Sequence, residues 1–339
     1  MPNDSDSVRI DRLISELRRR RIGYREMLAP YLAENDLGKA QGWEKLTAKL
    51  MEADSDLKTK ALAVLERLHV GLVVAGTKDV FVFELSDADI AQLGGEVLGV
   101  VPPPSPYRDF FPFMADATTL ASMNRDHVLI ERHVHDSGDV SFVLGAKRTF
   151  EEREVYELSD VTAAVRDAFA GFDEFIAVRR TDYQVFDVVT IRPRLRRLEV
   201  LIDDPDRAHS METPDTRCQT VLGRMAASLP TLAPIYESDS PIDLAPCIGA
   251  MYGNRREGRV VRLSFRSPSG SVNKGLVPTQ TDLRTDDFHE HGVHGVGTIT
   301  PYDITVAWDQ LEEHSGTVQM QIGMPLSPEF NSLALANCP

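Results

Sequence analysis

The stretch "HVLIERHVHDSGDVSFVLGAKRTF" (127–150) decides the reading of the fold. Two runs rich in Val, Leu, Ile and Phe flank "DSGD" (136–139), and apolar runs broken by Gly, Ser and Asp are the pattern of a β-hairpin. Downstream, "EREVYEL", "EFIAVRR", "QVFDVVTI" and "RLEVLID" read as further strands at close spacing. The helix "SDVTAAVRDAFAG" lies among them, with Ser159 or Asp160 as cap and Gly171 as stop. Strands in runs, rather than in strict alternation with helices, indicate an α+β fold with antiparallel sheet.

Upstream, residues 8–69 read as a helical bundle. Ile10, Leu13, Ile14 and Leu17 form one apolar stripe at helical spacing, with Ser7 as N-cap. A second helix is expected near 24–34, a third around Trp43, Leu46 and Leu50, and a fourth carrying Leu57, Ala61, Val64, Leu65 and Leu68. At residue 70 the pattern changes: "GLVVAGTKDVFVFEL" reads as two strands joined at "GTKD". A short helix (87–93) and a strand (96–101) are expected next. "VPPPSP" cannot join a ladder or continue a helix, so it is a connection, with Phe110, Phe111 and Phe113 tacking it to a core. After a polar break at 203–215 come helices near 216–228 and 242–252, then the strands "RVVRLSFR", "GTITPYDITVAW" and "TVQMQIGM". The expected organisation is a bundle (1–69), an α+β domain (70–203) and a second, strand-rich α+β part (204–339).

Composition bounds the function. The chain of 339 residues is 42% hydrophobic and 26% charged, with net charge −15. That charge repels nucleic acid on average. The start is polar and acidic, unlike a secretory signal, and no apolar run reaches the roughly 20 residues of a membrane span. Three cysteines without a CxxC pair favour neither a disulfide framework nor a thiolate zinc site, which points to the cytoplasm. The P-loop, the dinucleotide glycine fingerprint and the nucleophile elbow are all missing from the sequence.

Two residue types remain. Arginines gather in Arg18–Arg21, in Arg179, Arg180, Arg192, Arg194, Arg196 and Arg197, and in Arg255, Arg256, Arg259, Arg262 and Arg266. The first group follows a helix, where its charge suits the C-terminal dipole. The other groups, if they converge, make a phosphate-binding face on an acidic body, because the guanidinium fork recognises phosphate bidentately. Histidines gather in two places. Strand alternation puts His127, Glu131, His133 and His135 on one face, with His133 and His135 about 7 Å apart at Cα. His289, His291 and His294 lie in "DFHEHGVHG" (287–295), where Gly292 and Gly295 discourage helix and the spacing fails the zincin pattern. Loop-borne imidazoles there could still hold a metal.

The leading expectation is a cytosolic adaptor subunit of a protein assembly that contacts nucleic acid through Arg179, Arg180, Arg192–Arg197 and Arg255–Arg259. It needs no cofactor, and an anti-phage or genome-maintenance role would suit it. One alternative is a zinc- or manganese-dependent hydrolase or nuclease using the five histidines, with Glu131 or Glu290 as general base. Another is a small-molecule sensor with a pocket between the two α+β parts.

Overall fold

A computed structural model of the chain describes residues 5–20, 22–157, 159–169, 171–172, 174–203, 213–238, 240–278, 280–311, 314–323 and 332–336. The N-terminal helices are α1 (Asp6–Arg19), α2 (Ala29–Glu34), α3 (Trp43–Glu52) and α4 (Ser55–Ala75). Their apolar stripes meet in one core of Ile10, Leu13, Leu17, Leu46, Leu50, Leu65 and Leu68. Each such side chain contributes on the order of 1.5–3 kcal/mol by leaving water. Ser5, rather than Ser7, is the N-cap of α1.

The sequence splits 70–84 into two strands, but α4 runs on to Ala75. Leu68, Leu72 and Val73 continue its buried stripe, and Gly76 N–H closes the end on the Leu72 carbonyl. Only β1 (Lys78–Glu84) is a strand there. Helix α5 (Asp87–Gly99) likewise absorbs most of the strand expected at 96–101, because Leu93 and Val97, four residues apart, share one buried face. The proline-rich connection leads through α6 (Pro106–Phe110) and α7 (Ala117–Ser122). Phe111 packs edge-on to Phe186 and Phe113 lies against His69, as the anchoring role of these aromatics predicts.

The hairpin at 127–150 forms as expected from β2 (Val128–Val134) and β3 (Val140–Glu157). β3 takes in the separately expected strand "EREVYEL". The next two expected strands are one, β4 (Glu174–Arg192), after the short α8 (Ala163–Ala168). β5 (Arg197–Asp203) follows. Then come α9 (Pro214–Ala226), α10 (Ala233–Ser238), α11 (Ala245–Gly253), β6 (Arg259–Arg266), β7 (Val272–Leu276), α12 (Asp287–Val296), β8 (Thr300–Leu311), β9 (His314–Gly323) and β10 (Ser332–Ala336).

The architecture is α+β. All pairings are antiparallel, in the order β2-β3-β4-β5-β1-β10-β9-β8-β6-β7. Two antiparallel halves, β2-β3-β4-β5-β1 and β9-β8-β6-β7, are thus joined through β10. The first half is covered on both faces. Phe142, Leu144, Val189 and Ile191 meet α5 and α9 on one side, while Val143, Phe186 and Val188 meet Val73, Tyr107 and Leu120 on the other. The second half packs Val260, Leu263, Ile304 and Val306 against Ile248 of α11.

β3 and β4 are longer than their neighbours. β2 leaves β3 at Gly145 and β5 leaves β4 at Val188, yet β3 and β4 stay paired out to Glu157 and Glu174. The excess is a two-stranded arm about 40 Å long at the usual strand rise.

Candidate anion-binding cleft

Asp187 lies in the middle of "VFDVV", a strand whose neighbours are all apolar and buried. A carboxylate there must be paired, since burying an unpaired charge is prohibitive. Its Oδ2 accepts from Arg148 Nη2 at 2.5 Å and lies 2.7 Å from His127 Nε2, while Oδ1 accepts from Asp203 N–H at 2.8 Å. Asp203 ends β5, aligned with Lys78 at the start of β1. Its carboxylate meets Lys78 Nζ at 3.1 Å, Arg20 Nη1 at 3.3 Å and Phe186 N–H at 3.0 Å. Arg20 comes from the end of α1, so the helical bundle and the sheet are tied through one buried carboxylate.

The electrostatics follow from this packing. Burial opposes ionisation of Asp187, but Arg148 and His127 outweigh it and hold the carboxyl below the usual range. Burial likewise opposes ionisation of Asp203, which Lys78 and Arg20 overcome. Burial brings Lys78 down to about 8, against the pull of Asp203.

This network floors a cleft of about 800 Å³ at the base of the arm. β3 lends Lys147, Arg148 and Thr149, the segment before β2 lends Asn124–His127, and α9 lends Thr220 and Arg224. Lys147 donates to the Ala121 carbonyl at 2.9 Å, and Arg125 Nη2 to Thr149 Oγ1 at 3.0 Å. Arg224 Nε donates to the His127 carbonyl at 3.0 Å. Arg125 and Arg224 are exposed. Of the four lining cations, Lys147 lies 3.8 Å from Asp182 and Arg148 is held by Asp187, so Arg125 and Arg224 are the two left without a carboxylate partner among the described residues, and Asp126 is the carboxylate in the lining. When neutral, His127 donates Nε2–H to Asp187, which leaves Nδ1 as an acceptor.

The sequence places His127 with His133 and His135 on one strand face, and this is corrected. Leu129 aligns with Leu144 but Glu131 with Val143, so a bulge inserts one residue and reverses the alternation. His127 points to the α9 side; His133 and His135 lie on the other face. The last two rings do come together, with centroids 4.5 Å apart, and His135 Nε2 meets Ser141 Oγ at 2.8 Å.

The segment 287–295 is helix α12, not a loop. Asp286 caps it by accepting from His289 N–H at 3.0 Å. Its glycines are tolerated there because that cap and one packed face, His289 on Tyr252 and Phe265 and Val293 on the core of the second half, hold the helix. On a helix, His289 and His291 diverge by about 200°. His289 is buried against Tyr252 and Phe265, while His291 Nδ1 meets its own helix's Asp287 carbonyl at 2.7 Å. His294 is exposed and lines an open cleft that His289 also borders. Among the described residues, no group of three or more His, Cys, Asp or Glu side chains is placed to hold a metal.

The arginine groups do not share a face. Arg192 pairs with Asp139 and Glu199, and Arg196 with Asp87, at the end of the sheet away from Lys78 and Asp203. Arg194 and Arg197 are exposed beside them. Arg259 aligns with Ala307, Ala307 with Gln319, and Gln319 with Ala336, next to the Leu335 that aligns with Lys78. Arg255, Arg256 and Arg259 therefore sit at the opposite end, five strand spacings along, roughly 24 Å. Arg262 pairs with Asp303, and Arg266 lies over the Tyr302 ring. Arg179 and Arg180 are out on the arm. Of the first group, Arg18 pairs with Glu44 and Arg19 with Glu16, while Arg21 lies outside the described residues.

Sequence reasoning missed Arg125, Lys147, Arg148 and Arg224. The available signals were charges inside apolar strands: "LGAKRTF", "VFDVV" and "EVLIDD". No helix among the described residues is long and apolar enough to cross a membrane. Compared with known proteins, the chain matches no family model and no curated sequence.

Proposed function

We propose that the chain is a ligand-binding protein whose cleft takes a phosphate-bearing small molecule. The observation that carries this reading is the set Arg125, Lys147, Arg148 and Arg224 around one cavity of about 800 Å³. That size suits a small ligand. A cationic concavity on a body of net charge −15 concentrates anions at one place. Among the described residues no Phe, Tyr or Trp lines the cleft, so recognition rests on ionic and hydrogen bonds rather than stacking. Arg148 and His127 are set by the buried carboxylates, and Arg125 and Arg224 close from the rim. This is the sensor alternative: residues within 124–149 of the expected 70–203 part and Thr220 and Arg224 of the expected 204–339 part line the pocket together. An extended nucleic-acid face is less well supported, because the arginine groups expected to form it are scattered.

The test is calorimetry with inorganic pyrophosphate, with citrate and a short single-stranded DNA as comparisons. Pyrophosphate is expected to bind one site, and an Arg125→Gln/Arg224→Gln variant to lose at least about tenfold in affinity, as for charge-assisted contacts. Binding unchanged in that variant, or none to the wild type, sinks the reading. Tighter binding of DNA, lost in Arg192→Gln/Arg194→Gln/Arg197→Gln, would restore the nucleic-acid expectation.

A further inference from the structure

We propose that two copies of the chain associate through their arms, packed face to face and antiparallel about a two-fold axis. Beyond Phe150 and Thr181, β3 and β4 pair only with each other among the described residues. A two-stranded ribbon is marginal in water unless one face is covered. The registers Glu151–Arg180, Arg153–Val178, Val155–Ile176 and Glu157–Glu174 put all eight residues on one face. Val155, Ile176 and Val178 there are 56%, 53% and 48% exposed, at positions where a solvated strand would carry polar groups.

The charges on this face say what covers it. At the base, Arg153 and Arg180, each 67% exposed, share the single carboxylate of Glu151 at 2.7 and 3.1 Å. The aliphatic side chains occupy the middle. At the distal end Glu157 and Glu174 stand directly opposite each other, both exposed. Like charges in that position destabilise a ribbon. The face therefore runs from cationic, through apolar, to anionic. Such a surface complements its own copy only when the copy is reversed: Arg180 of each copy then faces Glu174 of the other, Glu151 faces Glu157 with its charge already shared by Arg153 and Arg180, Arg153 lies one row in from Glu157, and Val178 meets Ile176 with Val155 beside it. A two-fold generates this arrangement, and it is the self-complementarity an isologous interface requires. A parallel arrangement would set glutamates on glutamates. The covered face is about 23 by 10 Å from strand geometry. This is below the standard interface size, so the dimer is weak and concentration-dependent.

Sedimentation velocity from about 5 to 500 µM, a range spanning weak interfaces, tests this on the full chain. The wild type is expected to move from monomer to dimer across that range. Ile176→Asp is expected to stay monomeric. Arg153→Glu/Arg180→Glu and Glu157→Arg/Glu174→Arg are each expected to weaken association by about tenfold or more, since they set like charges across the interface. Combining all four reversals is expected to restore it to within about threefold, because the reversed face is again self-complementary. Circular dichroism confirms that each variant is folded; the charge variants sit at exposed positions and need no repacking. A wild type that is monomeric throughout overturns the proposal. So does a dimer indifferent to Ile176→Asp, or a fourfold variant that stays as weak as its parents. None of these residues lines the cleft, so pyrophosphate binding and dimerisation succeed or fail separately.

Discussion

Two clefts open on the two halves of the sheet, and each holds a buried arginine beside a histidine. In the first half these are Arg148 and His127, in a cavity of about 800 Å³. In the second they are Arg284 and His289, in a cavity of about 520 Å³ that Arg255 and His294 also line. The difference lies in what the arginine holds. Arg284 donates to the carbonyls of Met251, Asn254 and Gly258 and to its near neighbour Asp282, so its donors pin one loop. Arg148 is held by Asp187 and by the Asp203 carbonyl, within a network that joins β1, β3, β4, β5 and α1. The first arrangement organises a site from distant parts of the chain. The second is local bracing, with the charge met by Asp282 two residues away and the remaining donors taken by nearby carbonyls.

The comparison breaks most directly at the carboxylates. Asp187→Ala leaves Arg148 buried without its counter-charge and is expected to cost about 3–5 kcal/mol. Asp282→Ala leaves Arg284 its backbone carbonyls and is expected to cost about 1–2 kcal/mol. Urea midpoints measure both; equal losses would mean the two clusters are the same kind of feature.

Acid sharpens the same contrast. Folded Asp187 and Asp203 hold their carboxyls below the usual range, so between the folded and unfolded values the unfolded chain binds more protons. Their contribution is complete above the ordinary aspartate value and falls away as pH drops below about 4. Urea midpoints between neutral pH and pH 3 are expected to fall steeply in the wild type. The slope is expected to flatten in Asp187→Asn/Asp203→Asn, whose starting stability is lower.

These residues also show where the sequence is legible. Periodicity is a local signal, and it places the bundle, the hairpin at 127–150 and most strands. It fails at 70–76 and 96–101, where Val and Leu serve a helix stripe as well as they would a strand. It fails at α12, where a cap and a packed face outweigh two glycines. The cleft depends on longer-range facts. Nothing near Asp203 announces Lys78 or Arg20, and the bulge at Ile130 that turns His127 toward Asp187 has no mark of its own in "HVLIERH". Exposed arginine runs are easy to see because they are contiguous, whereas the cleft's cations are Arg125, the pair Lys147–Arg148 and Arg224, from three segments far apart in the chain.

Rim residues separate binding from stability. Arg125→Gln/Arg224→Gln removes exposed groups, so its urea midpoint is expected to stay within about 0.5 kcal/mol of wild type while pyrophosphate affinity falls. Arg255→Gln, on the rim of the second cleft, is expected to change neither. A loss of pyrophosphate binding in Arg255→Gln would move the site to the second half of the sheet.

The smallest effects are expected on α12. His289 packs on Tyr252 and Phe265, and Tyr252 Oη lies 3.0 Å from its Nε2, so His289→Ala is expected to cost about 1–2 kcal/mol. His291→Ala and His294→Ala remove exposed side chains and are expected to shift stability by less than about 0.5 kcal/mol. His289 is committed to the core, His291 Nδ1 meets the Asp287 carbonyl, and no three ligating side chains are gathered among the described residues, so added zinc is expected to leave the thermal midpoint unchanged. A zinc-induced rise that disappears in His291→Ala/His294→Ala would show the exposed imidazoles recruiting ligands from beyond their own helix. The second cleft, rather than the first, would then be where the chain does its chemistry.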